Sequence, residues 1–472
     1  MDDSGGGPTL STTQLAKRLV LLLGISVLAG LLGGVIGLNS LQQVATGVFL
    51  AIILGTLFFW NFRLAIAFLG IAVLIFTKTL NIPHFVESAA LPVILFLVGM
   101  MIVVGALRDL GFFTWVVQLI VAMPNMTGRR FIITVAVASA LLACAVDEVT
   151  SIIFIATLVF QVCGRLKLNP APYIIICVLC TNVGSSGTML GNPVGIYIGT
   201  QAGLTFRDFV IWAFPIMLVA LAVTVGVTIA WYRRELREFD KRLKERMARN
   251  LSLAPKVDVP YKRGLALLIV TILFIASHHS LEQLLGLDKN SILLVAPLAC
   301  SGVIMILRRD RARHYVEREV DWWTLLFFML LFAIAGTLEY TQVTVFMAER
   351  FQQGFGHNVN ILVPVVMATT AVGSAFVDNV IFVAAFCPVI KELSQSVHAM
   401  PLWWALLFGA CFGGNITMIG STANIVALGM LEKQYKTQIN FWQWLKVGVI
   451  SAGVACLVAW ALLMIMSPFM PA

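Results

Sequence analysis

Charge is what this chain has least of. Only 12% of its 472 residues are Asp, Glu, Lys or Arg, and 60% are apolar, whereas a soluble globular chain carries about 25% charge. That excludes an ordinary soluble enzyme or binding module. Apolar runs of about 17 to 25 residues, each able to cross about 30 Å of hydrocarbon, recur from Leu19 almost to Met466. External cysteines are lacking too: all eight (Cys144, Cys163, Cys177, Cys180, Cys300, Cys387, Cys411, Cys456) lie in or beside apolar segments, which argues for free thiols. Cys177 and Cys180 form a CxxC, but within an apolar helix ordinary packing is its simplest reading. No GxxxxGK[ST] loop occurs, so no direct ATP coupling is expected. No aspartate sits in a GxGD context, which disfavours an intramembrane aspartyl protease, and we expect no enzyme. The polar start before Leu19 lacks a small-residue cleavage site, so the first apolar run reads as a retained helix rather than a removable signal.

What is present is a succession of spans, at 19–38, 44–60, 63–77, 88–107, 172–200, 209–231, 264–279, 291–307, 322–338, 402–430 and 447–466. The expected fold is therefore an all-α polytopic membrane protein of about 11 transmembrane helices. The net charge of +9 is concentrated in loops: positions 233–263 hold 11 Lys/Arg and five acids, and a second basic loop covers 308–318. Such loops stay cytoplasmic. Two spans separate them, so both fall on one side; counting back puts the N-terminus inside and the C-terminus outside, in a plasma (inner) membrane. This charge pattern gives orientation and points to no nucleic acid. Tryptophan pairs at 322/323 and 403/404 lie at expected span edges and read as interfacial anchors.

Two further apolar stretches, 130–162 and 360–392, are interrupted midway by carboxylates. A straight span would hold that charge at the bilayer centre, whereas a re-entrant helix-turn-helix puts it at a protein-lined tip. We expect two re-entrant hairpins. A repeat runs through them: GALRDLGFF at Gly105 matches GTLEYTQVT at Gly336 (336 − 105 = 231), and AVDEV around Asp147 matches FVDNV around Asp378 (378 − 147 = 231). GTMLGNPVGIYIG around Gly191 matches ITMIGSTANIVALG around Gly420 (420 − 191 = 229). The span at 88 and its counterpart at 322 enter from opposite sides, so the repeats should be inverted, with sites at their interface. The expected divisions are an N-terminal tail and first helix (1–43), a first repeat (44–231), a basic loop (232–263) and a second repeat (264–472).

Asp147, Glu148 and Asp378 carry the chemical argument, because a carboxylate at a helix centre costs roughly 2.5 to 3.5 kcal/mol on insertion scales. No Lys or Arg lies within either hairpin core. The structural readings are a neutral buried acid or a cap on the following helix. The functional reading is competition: burial favours the protonated carboxyl and a cation favours the charged one, so protons and cations exchange at one site. The segments 181–193 and 413–424 interrupt otherwise spanning helices with glycine. They offer Asn182, Thr188, Asn192, Asn415, Thr417, Ser421, Thr422 and Asn424 as amide and hydroxyl ligands for a dehydrated ion or an oxyanion.

The stretches SAFVDNVIFVAAFCPVI and GGNITMIGSTANIVALGM, with their first-half counterparts, resemble the ion transporter superfamily of citrate transporter-like permeases, over most of the chain after about Val44. That superfamily includes arsenite permeases, sodium/proton antiporters of the NhaD type, the melanosomal P protein and divalent anion/sodium symporters. The resemblance is strongest to the antiporter and P-protein branches, and it implicates the tips Asp147, Glu148, Val149 and Thr150, and Asp378, Asn379 and Val380. The Ser-Asn-Thr tips of divalent anion symporters and the Asn-Asp and Asn-Asn pairs of arsenite permeases are missing. Glu148 also stands where antiporters more commonly carry Asn. The resemblance implies a secondary cation (sodium)/proton antiporter with Asp147 and Asp378 as cation-exchanging carboxylates. The alternative is an arsenite or organic or inorganic anion permease on the same scaffold. No cofactor is implied beyond a bound Na+; the partners are a small ion or solute and the lipid bilayer, and a homodimer is compatible with the reading.

Overall fold

The computed structural model describes residues 11–123, 126–248 and 259–471, and every regular element among them is helical. The start of the expected tail (1–10) and part of the basic loop, with Arg249 and Lys256, lie outside the described residues. Nine described helices are long and apolar enough to cross a membrane, or ten if the bent pair Lys262–Ala276 and His278–Leu285 is one span. Packing divides the chain into two compact units.

One unit contains the residues up to Leu91 together with Trp322–Arg350. Helix Thr12–Val35 buries only a stripe of Leu22, Ser26, Gly30 and Gly33. These small residues admit Ser40–Phe58 so closely that a Cβ on Gly30 would lie 2.9 Å from the Gln43 carbonyl. The buried Arg63 places its guanidinium 3.9 Å from the Trp60 ring centroid and 4.7 Å from that of Phe327, on the late helix Trp322–Tyr340. Aromatic faces thus accommodate a cation in an apolar setting.

The other unit, Pro92–Asp321 with Phe351–Ala472, contains both charge-interrupted stretches. Each is a helix pair joined by a two-residue break: Gly128–Ala145 with Glu148–Leu166, and Val359–Phe376 with Asn379–Leu393. The arms of each pair pack side by side. Ser151 donates to the Ser139 carbonyl across the first pair at 2.7 Å, and in the second the Phe382 ring covers Gly373 so closely that a Cβ there would overlap it. At about 1.5 Å per residue the first pair's arms measure roughly 27 Å.

Behind each hairpin runs a broken helix: Ala171–Gly184, a 3-10 turn at Ser185–Gly187 and then Pro193–Ala202; and Met400–Gly413, an irregular link and then Thr422–Tyr435. All of Ala171–Gly184 is buried, as is Met400–Gly413 after its first residue. Neither has a polar face, the pattern of a helix surrounded by protein. The tryptophan expectation changes here. Trp322 and Trp323 are exposed, but Trp403 and Trp404 are buried, and Trp404 meets the Phe209 ring edge-on at 5.0 Å, because its helix is central rather than peripheral.

Similar contacts recur at the offsets read in the sequence. A Cβ on Gly184 would lie 2.4 Å from Ala140 backbone atoms, and one on Gly413 would lie 2.4 Å from the Ala371 carbonyl; these pairs are offset by 413 − 184 = 229 and 371 − 140 = 231. Thr188 donates to the Cys144 carbonyl at 2.5 Å and Thr417 donates to that of Ala375, at the same two offsets. All eight cysteines are free thiols.

Candidate functional site

Four helices begin where the hairpins meet the broken helices, and each is capped by a residue singled out in the sequence. Asp147 accepts from the Thr150 amide at 2.7 Å and Asp378 from that of Val380 at 3.0 Å. Asn192 accepts from Gly195 at 3.0 Å and Ser421 from Ala423 at 3.2 Å. An uncapped helix start leaves amide donors unsatisfied and carries about half a positive charge, so a polar or anionic side chain is stabilised there. The carboxylates are therefore caps as well as candidate ligands.

Side chains from both halves interlock around these caps. Asn182 donates to the side-chain oxygens of Asn415 and Asn424, each at 2.8 Å, and accepts from Ser421 at 3.0 Å. Asn415 also donates to the Leu179 carbonyl at 3.0 Å, while Asn424 reaches the Gly414 and Thr417 carbonyls at 2.8 and 2.9 Å. The Asn415 carbonyl in turn receives the Trp444 indole N–H at 3.0 Å. Thr422 donates to Asp378 at 3.0 Å.

Glu148 sits between the halves and is 4% exposed. Its Oε2 receives Asn192 and its Oε1 receives Ser421, both at 3.3 Å. Bonds to a carboxylate normally close to about 2.7–2.9 Å, so Glu148 is loosely held. Among the described residues no Lys, Arg or His forms an ion pair with Asp147, Glu148 or Asp378. Arg108 is bound to Glu319 at 2.9 Å. Asp147 adjoins Glu148 in the chain, and the adjacent residues Ser421 and Thr422 donate to Glu148 and Asp378. Glu148 and Asp378 are buried and Asp147 is half-buried.

Of the sequence candidates, Glu148, Asn182, Asn192, Asn415, Ser421 and Asn424 form one connected network, with Asp378 and Thr422 a second bonded pair beside it. Thr188 and Thr417 have another occupation. Each donates to a hairpin carbonyl and accepts a backbone amide, from Leu190 at 3.2 Å and Ile419 at 3.3 Å, which leaves the hydroxyls engaged with the backbone. Thr150 is buried behind Asp147, and Asn379 is buried at the second tip.

Two residues were missed. Ser185 accepts from Asn192 at 2.9 Å and Cys411 meets the same amide at 3.2 Å. The repeat offset identifies Cys411, the equivalent of Asn182 (411 − 182 = 229). Ser185 sits in the glycine-rich break and has no charge to mark it.

Comparison with known proteins agrees with this architecture. A crystal structure of the Alcanivorax borkumensis YdaH transporter shares the fold, with a TM-score of 0.54 and 17% identity over 84% of this chain and 88% of that one. A protein named an uncharacterized transporter of Mycobacterium tuberculosis is 32% identical over 372 residues, 77% of this chain and 83% of the relative. A 46 kDa membrane protein of Mycobacterium leprae is 31% identical over 79% of this chain and 87% of its own length. The human P protein is 25% identical over 82% of this chain, a match spanning 54% of that longer protein. The family model described as a citrate transporter matches residues 50–409, and the chain belongs to this family of multi-pass membrane transporters.

Proposed function

We propose that this transporter is a secondary cation/proton exchanger, with sodium its first candidate cation, and that Glu148, Asp147 and Asp378 form the exchanging centre. The observation that carries the reading is Glu148: a buried carboxylate with no ion-pair partner among the described residues, bonded from both halves at the long distance of 3.3 Å. A buried charge of this kind requires neutralisation, by a proton or a cation. The amide oxygens around Asn182 would complete coordination of a dehydrated monovalent ion. Alternating access then follows if the two halves act as inverted repeats with re-entrant tips, rocking around a shared site.

A second reading is supported by the four helix starts. Their partial positive charges suit an anionic solute, as N-terminal ends do in other transporters, and the family description names citrate. An anion would approach three carboxylates only with cations or protons already bound there. The readings separate by experiment.

In proteoliposomes carrying an internal pH dye, the exchanger predicts that Na+, Li+ or K+ dissipates an imposed proton gradient. Glu148→Gln and Asp378→Asn should each abolish the response. No cation-driven proton movement in sealed vesicles that take up citrate would overturn exchange and establish the anion reading.

A further inference from the structure

The basic connector after residue 231 begins as a helix, Arg233–Met247, one residue beyond the apolar helix that ends at Trp231. Its apolar face is already occupied within the protein. Leu236, Phe239 and Leu243 are buried, Phe239 stacks on Phe131 at 5.0 Å, and Tyr173 donates to the Glu235 carbonyl at 2.9 Å. The same helix holds both ends of the first hairpin. Asp240 accepts the Gly128 amide at 2.5 Å, where the first arm starts, and Arg246 donates to the Arg165 carbonyl at 3.2 Å, where the second arm ends. An acid at a helix start and a base at a helix end each match the dipole they face.

The opposite face is cationic. Arg233, Arg234, Arg237, Lys241, Arg242 and Lys244 are exposed. Arg242 is paired with Glu238 at 2.8 Å, but the other five form no ion pair among the described residues. Exposed Lys167, from the loop after the second hairpin arm, adds to the same basic region. At about 1.5 Å of rise per residue, Arg233, Arg234 and Arg237 lie within roughly 9 Å of the end of the span.

We propose that this face binds anionic phospholipid headgroups of the adjoining leaflet, so that lipid charge steadies the helix that clamps the base of the Asp147/Glu148 hairpin. Free basic side chains clustered immediately beside a membrane span are attracted to anionic lipid, by roughly fivefold in affinity per cation. With the apolar face occupied by Phe131 and Tyr173, attachment would be by charge alone. It should therefore be sensitive to salt, which an inserted amphipathic helix resists.

The test is thermal unfolding of the purified full chain in neutral detergent with added phosphatidylglycerol, phosphatidylcholine or inorganic phosphate. Phosphatidylglycerol should raise the midpoint well beyond phosphatidylcholine at low salt and lose that advantage at high salt. Replacing Arg233, Arg234, Arg237, Lys241 and Lys244 with Gln should remove the difference, while replacing the three arginines with Lys should retain it. If the Gln variant does not fold, the wild-type salt dependence and the milder Lys241→Gln/Lys244→Gln variant decide, the latter expected to show a reduced difference. Equal shifts from both lipids, a full shift in the Gln variant, or the same rise with inorganic phosphate would overturn the proposal.

Discussion

Asn182 and Glu148 show how single side chains join the first and second halves of the chain. Asn182 satisfies two amide oxygens and one hydroxyl from the second half. Asn182→Ala would leave the Asn415 and Asn424 side-chain oxygens without that donor, at roughly 1–3 kcal/mol for each left unsatisfied, while Ser421 keeps its bond to Glu148. We expect a clear fall in thermal midpoint, larger than that of a volume-matched Ile→Ala change at the lipid-facing surface. An unchanged midpoint would mean that the network is wet or remade. The three carboxylates were legible because charge inside an apolar run is conspicuous. Which one joins the halves was not: Asp147 and Asp378 are the repeat-matched pair, yet it is Glu148 that reaches Ser421, through a geometry no local pattern encodes.

Hairpins and broken helices could be read because their punctuation is chemical, a carboxylate pair in one case and glycine runs in the other. The short helices Ile82–Ser88 and Val343–Phe355 escaped, since a few turns with mixed polarity leave too little period to register. Trp403 and Trp404 misled for a related reason. Tryptophan at the end of an apolar run marks an interface only when the helix faces lipid, and Met400–Gly413 does not. The matched glycines make an element-level prediction. Gly184→Ala and Gly413→Ala each drive a methyl to 2.4 Å from backbone of the neighbouring hairpin arm, Gly128–Ala145 or Val359–Phe376. Backbone cannot turn aside as a side chain can, so each should cost at least about 1–3 kcal/mol and lower the yield of folded protein. Gly226→Ala, with nothing within 4 Å, is the control that should behave as wild type.

At the scale of the molecule, packing groups segments far apart in the sequence. The repeat pairs Gly105 with Gly336, yet helix Trp322–Tyr340 packs with the early helices and Leu91–Asp109 belongs to the other unit. A periodicity reports which residues are apolar, not which partner covers them, so this exchange was invisible in the sequence. The division does suggest a cut. Two fragments separated within 249–258 leave every described helix whole. Expressed together they should recover the wild-type midpoint, and expressed singly neither should accumulate; stable accumulation of the first fragment alone would show that its polar centre needs no second half.

The bond between Asn182 and Asn424 spans 242 residues of sequence. At a synthesis rate of about 5–20 residues per second, a ribosome needs roughly 12 to 50 s to deliver Asn424 after Asn182 has emerged. During that interval the nascent first half waits in the membrane with its central amide unanswered, exposed to insertion chaperones and quality-control proteases. The bond that closes the candidate site therefore also sets how long the newborn first half waits for its partner.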